Sequence, residues 1–161
     1  MRTVSVGLLI LLFAATTANA AGLGPRKASD LVMITASNTD CPFGGEAIDL
    51  RFAADGTTSA LVIPAGQALV VQSVQWRTFG IVAYEHIELL LSLQTATGVA
   101  TAVAGDGSIS DSLGGNAGSI QITPGVIVRP GQTLCTTCTS AFSSQTVQCL
   151  GTAQGFLTKD K

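Results

Sequence analysis

Charge is what this chain has least of. Asp, Glu, Lys and Arg together make up 11% of its 161 residues, against roughly a quarter in an average soluble domain. With Arg2 set aside, seven Lys and Arg face ten Asp and Glu, a net charge of −3 with no basic cluster. Nucleic acid and anionic lipid both demand concentrated positive charge, so neither is expected as a partner. His86 is the sole histidine, and a zinc site built on three or four ligands has no second imidazole to draw on. There is no Asn-x-Ser/Thr sequon, no Gly-x-Ser-x-Gly nucleophile elbow and no segment with a convincing 3.6-residue apolar period. Beyond the first twenty residues, no apolar run reaches the ~20 residues of a membrane-spanning helix.

The first twenty residues are themselves apolar. Arg2 precedes an apolar run from Val4 to Ala15, and Ala18-Asn19-Ala20 forms a small-x-small cleavage site. This is the pattern of a secretory signal peptide. The mature chain is therefore expected to start at Ala21 and to be secreted, extracellular or periplasmic, with 141 residues left to fold. A single domain of that size buries roughly two thirds of its unfolded surface.

Four cysteines, Cys41, Cys135, Cys138 and Cys149, follow the cleavage site, and an even number in an oxidising compartment points to disulfides. Three pairings are open. If 142–145 is the end of an antiparallel hairpin, Cys138 and Cys149 fall opposite one another, which leaves Cys41 for Cys135. The long closure would contribute about 4 kcal/mol and the short one roughly 3 or less, on the chain-entropy argument.

The clearest local instruction is Ala60 to Phe79. Its apolar run stops at Pro64, turns through Ala65-Gly66 and restarts as a Val-rich run. Pro offers no ladder donor and Gly reaches positive φ, so the pair punctuates strands. A shortened copy recurs at Val128 to Leu134, where Pro130-Gly131 separates two further apolar runs. Such Pro-Gly-Gln-x-Leu corners occur in many extracellular β domains and single out no family. Ala47 to Ala53 alternates apolar and polar residues, Asp55-Gly56 signals a turn, and His86 to Thr95 places Ile87, Leu89, Leu91 and Leu93 on one face. Val99 to Ala104 reads as a short strand and Gly105 to Gly118 as a Gly, Ser and Asp loop. Pro124-Gly125 reads as another corner. Eight to ten short strands at spacings of roughly ten residues predict an all-β fold, an antiparallel β-sandwich with jelly-roll topology ahead of an immunoglobulin-like one. The expected layout is a flexible arm over 21–30, one domain over 31–158 and a charged tail over 159–161.

Candidate sites are few. His86 and Glu88 share a strand face and could act as an acid/base or metal pair, although a polar strand entrance facing water is the preferred reading. Asp106, Ser108, Ser110 and Asp111 offer hard oxygens suited to calcium, but they miss the EF-hand pattern and suit a solvated loop too. Trp76 and Tyr84 are the large amphipathic aromatics. An outward Trp76 beside Gln72 and Thr78 would make a stacking platform, while Val70 and Val74 on its face argue for a core position. Cys135-Thr136-Thr137-Cys138 has redox spacing without a following helix, so structural disulfides take precedence. No cofactor is expected. The sequence therefore predicts a non-catalytic binding or recognition module acting through its loops, with an extracellular ligand. A structural subunit that self-associates is the alternative, and a secreted hydrolase stands third.

Overall fold

The protein, as a computed structural model, is described for Pro25 and for residues 28–79, 81–98, 100–141 and 146–160. The expected signal segment, residues 21–24, 26 and 27 of the expected arm and the hairpin end at 142–145 lie outside the described residues. A single turn of 3-10 helix, Ala28–Asp30, leads into ten strands. They are β1 Leu31–Asp40, β2 Glu46–Phe52, β3 Thr58–Ala60, β4 Gln67–Thr78, β5 His86–Thr95, β6 Ala100–Ile109, β7 Asn116–Val128, β8 Gln132–Ser140, β9 Thr146–Val147 and β10 Cys149–Lys159.

The all-β antiparallel expectation holds: every ladder is antiparallel. The strands form one continuous sheet in the order β6-β5-β8-β2-β1-β10-β4-β7, with β3 added to β2 and β9 to β8. Its two ends come together through side chains. Asn116 Nδ2 at the start of β7 donates to Ser108 O of β6 at 3.0 Å, and Trp76 Nε1 of β4 donates to Asp106 Oδ2 of β6 at 2.8 Å. The sheet is thus a nearly closed barrel with a seam between β6 and β7.

Period-two patterning fills the interior. Ile34, Ile48, Leu69, Val71, Val74, Leu91, Val128, Leu134 and Ala153 form one buried cluster, with Leu93 packed against it. Trp76, Ile87, Leu89, Cys138 and Cys149 form a second. The four aliphatics of β5 therefore face inward as their alternation requires. Two Pro-Gly corners do their expected work: Gln67 N donates to Pro64 O and Gln132 N to Arg129 O, each at 3.0 Å, with Gly66 at φ 71° and Gly131 at φ 83°.

Other elements depart from the sequence reading. The Leu61–Ile63 run is not a strand; β3 comes before it, and 61–64 runs extended toward the corner. Most of the Gly105 to Gly118 segment is strand, leaving 110–115 as loop. A Cβ on Gly107 would press on the His86 imidazole. Pro124-Gly125 is no corner either. It lies in a bulge within β7, where the register jumps from Ser73↔Gln121 to Val71↔Val126, and Gly125 sits against Val70. At the C-terminus, Lys159 pairs with Gln67 as the last residue of β10, and the Asp160 amide donates to Gly66 O at 3.0 Å.

Both disulfides join the expected cysteines, Cys41 to Cys135 and Cys138 to Cys149. The hairpin geometry behind the second pairing is offset, because Cys138 lies opposite Val147. The chain leaves β8 after β9, and Cys149 opens β10 alongside β4. Replacing Cys41 and Cys135 together by Ser, which frees a closure of 94 residues, is expected to cost about 4–5 kcal/mol. The same change at Cys138 and Cys149, separated by 11 residues, should cost about 3 kcal/mol. Urea unfolding of the three proteins ranks them, and a reversed order would contradict this account.

Candidate functional site

One end of the barrel is built from two loops that hold each other. Residues 79–85 connect β4 to β5, and 110–115 connect β6 to β7. The buried Ser110 is their rivet: its hydroxyl donates to Val82 O and accepts from Glu85 N, both at 2.7 Å, while its amide donates to Glu85 O at 2.9 Å. Ile81 N adds a bond to Gly114 O at 3.3 Å. Gly114 has φ 74°, and a Cβ there would run into Ile81 O, so both conformation and space demand glycine. Asp111 folds back on its own loop. The Gly115 and Leu113 amides donate to its Oδ1 at 2.8 Å each and hold the carboxyl below the ordinary aspartate value.

Around these bonds, large apolar side chains turn to solvent. Leu113 is 90% exposed, Val82 71%, Tyr84 70%, Ile109 64% and Phe79 61%. Each lies within two residues of a bond that crosses between the loops. Tyr84 also has φ 61°, an uncommon conformation for a residue with a Cβ, and such outliers cluster at ligand clamps. The Arg77 guanidinium stands 5.2 Å from the centre of the Phe79 ring. Phe79, Ile109, Arg77, Asp111 and Asn116 share the rim of a shallow hollow of about 440 Å³.

The sequence-predicted candidates fall in several places. Trp76 is no platform: it is 2% exposed and packs with Ile87, Leu89 and the Cys138–Cys149 bridge. Thr78 is buried beside it, and the outward residues of β4 here are Gln75 and Arg77. Gly118 of β7 lies flat on the indole, where a Cβ would strike both Nε1 and the Asp106 carboxylate. Outside this point an open groove of about 730 Å³ crosses four strands. Thr35, Thr152, Gln75 and Ser119 form a row along it by register.

His86 and Glu88 face solvent on β5 with Nδ1 and Oε1 4.0 Å apart, both side chains substantially exposed. The hydroxyls nearest them are engaged, Ser110 as above and Ser140 with Glu85 Oε1. The calcium candidates are not drawn to a point. Asp106 is committed to Trp76 and the Gly107 amide, Ser108 is a ladder residue opposite Ile87, and Asp111 is committed to its loop. Among the described residues no group of three His, Cys, Asp or Glu side chains is placed to hold a metal ion. Sequence reasoning passed over Phe79, Val82, Ile109 and Leu113. Their signal is a large apolar residue embedded in turn chemistry, as in Asp111-Ser112-Leu113-Gly114-Gly115.

No protein-family model matches the chain, and no curated protein is detectably similar to it in sequence.

Two outcomes follow from these contacts. Asp106→Ala leaves the buried indole N–H without its acceptor and should cost about 1–3 kcal/mol, read by urea unfolding through the fluorescence of the single Trp76. A loss near zero would show that the seam does not depend on this bond. For Asp111 the folded pKa is the lower one, so the benefit to the loop is complete above the ordinary aspartate range. It disappears as the pH falls through the lowered value. Hydrogen exchange at the Leu113 and Gly115 amides should therefore be slower at neutral pH in the native protein than in Asp111→Ala, with the difference vanishing in acid.

Proposed function

We propose that this is a secreted, non-catalytic recognition module that receives an apolar patch of another extracellular macromolecule on its loop end. The observation that carries the reading is the set of five large exposed apolar side chains, Phe79, Val82, Tyr84 and Leu113 on two loops and Ile109 at the end of β6, on a frame pinned by Ser110 and Asp111. An exposed apolar patch on a rigid frame is the mark of an interaction surface, and a frame already ordered loses little entropy on binding. The two disulfides fit an oxidising compartment. The strand order also suits a jelly roll: β1-β10-β4-β7 and β2-β8-β5-β6 read as its two four-stranded halves, joined through the β1–β2 pair. In that architecture loops gather at the two ends of the barrel, where recognition commonly takes place.

The alternative, a self-associating structural subunit, draws on the same patch. It gains little from strand addition, because the ends of the main path, β6 and β7, face one another and the added strands β3 and β9 are three and two residues long. Light scattering on the protein beginning at Ala21 is expected to return a monomer. Photo-crosslinking from position 113 in the secreting culture is expected to give an adduct with a different protein, lost when Tyr84 and Val82 are changed to Ser. A homo-oligomer crosslinked to itself would install the assembly reading, and a monomer with no adduct would remove the recognition reading.

A further inference from the structure

The opposite end of the barrel has a different character. A cavity of about 430 Å³ opens there, between the 61–63 segment, the 129–133 corner and Pro42. Its floor is the main core: Ile34, Ile48, Leu69, Val128 and Leu134 all contribute to the wall. The volume falls in the range of roughly 300–1,000 Å³ common to small-molecule sites, and barrel mouths are a preferred location for them.

One polar side chain in that wall is placed by an irregularity. Along the β1–β2 ladder, Thr35 pairs with Leu50 and Ala36 with Ile48, so Asp49 is the extra residue of a β-bulge. Bulges re-aim a side chain out of the normal alternation. Asp49 lines the cavity, and its Oδ1 is buried without a hydrogen-bond partner among the described residues. Its carbonyl accepts from Leu61 N at 2.6 Å and so fastens the strap over the mouth. Arg129, the basic side chain in the wall, does not neutralise it, because its Nε is held by Asp160 at 3.0 Å. A buried acceptor left unmatched carries a desolvation cost that a ligand donor would relieve.

We infer that this mouth is a binding site for a small, largely apolar molecule carrying one N–H or O–H donor, which the Asp49 carboxylate receives while Leu61, Ile63 and the core residues enclose the apolar body. The site stands apart from the loop end and does not depend on what the loops recognise. The absence of any titratable group besides Asp49 and Arg129 from its wall favours a neutral or singly cationic ligand over an anion.

The test uses two probes of closely matched shape, N-phenyl-1-naphthylamine, which has an N–H donor, and 1-benzylnaphthalene, in which a methylene takes the place of the N–H. Saturable one-to-one binding of the amine to the mature protein is expected, about tenfold tighter than the hydrocarbon, as one hydrogen bond to a charged group implies. Asp49→Leu should bring the two probes to equal affinity. Ile63→Trp, a change in the half-exposed strap, should block both without touching the bulge. Leu113→Ser should leave both unaffected, which separates this site from the loop patch. Equal affinity of the two probes for the native protein would overturn the proposal even if Asp49→Leu fails to fold. So would binding that survives Ile63→Trp or is lost in Leu113→Ser.

Discussion

The architecture depends on how β8 is anchored. On one side β8 has a long ladder with β5, from Ile87↔Ser140 to Thr95↔Gln132. On the other, its ladder with β2 consists of two pairs, Glu46↔Thr136 and Ala47↔Cys135. Two backbone pairs do not hold a sheet together at a junction the whole barrel runs through. The covalent links are placed at that weak point: Cys135 ties β8 to the β1–β2 turn at Cys41, and Cys138 ties it to the start of β10 at Cys149. Polar contacts follow the same lines. Thr136 Oγ1 donates to Glu46 O at 3.4 Å and to Cys149 O at 3.3 Å, and Gln94 holds the Phe43 amide at 2.9 Å and the Gly44 carbonyl at 3.2 Å. A chain with little charge has few ion pairs to spare for this task. It uses crosslinks that restrict the unfolded state instead.

The far side of the barrel closes without a ladder. The side-chain bonds across it are the Trp76 indole of β4 donating to the Asp106 carboxylate of β6 and the Asn116 amide of β7 donating to the Ser108 carbonyl of β6. Gly118 lets the two strands approach at the indole. This kind of closure fixes relative position while leaving the strand ends free to diverge into loops; the 110–115 loop joins β6 to β7 at the seam, and the 79–85 loop leaves β4 beside it. Ser110 and Asn116, one at each side of the 110–115 loop, bond respectively across to the 79–85 loop and back to β6. The exposed apolar surface lies where the two loops meet, joined through Ser110 and the Ile81–Gly114 bond, with the apolar side chains turned to solvent.

How far the sequence revealed this depends on the kind of signal. Alternation in β5 and the two Pro-Gly-Gln corners are local rules, and the structure follows them. Disulfide partners were also legible, although the register that suggested one pair is offset by two residues, because Gln148 carries the chain from β8 toward β4. Glycine misled in the opposite direction. Gly105 and Gly107 read as loop, yet they are strand residues, paired with Leu90 and Glu88. Trp76 was legible only as a choice between inside and outside, and the partner that decides it, Asp106, lies thirty residues away on a strand that the composition disguised. The Asp49 bulge left no trace at all. A one-residue slip exists only in the pairing of two strands, and Asp49 in Ile48-Asp49-Leu50 looks like an ordinary outward residue until Thr35 and Ala36 are set beside it.

The two ends of the barrel solve opposite problems with the same material. At the loop end, apolar side chains turn outward around the bonds that pin the loops. At the mouth, an unsatisfied polar group is drawn in among apolar ones. Communication between them would need an element with two alternative packings. The strands that run from end to end, β4 and β7, are paired along their length and joined to a crosslinked core. The irregularity in their pairing lies between Val71 and Ser73, where Gly125 packs against Val70. The strap over 61–64 lies outside the strands and belongs to the mouth alone. A frame this constrained favours two separate sites over one switch: rigidity that presents the loops well also isolates them from whatever enters the other end.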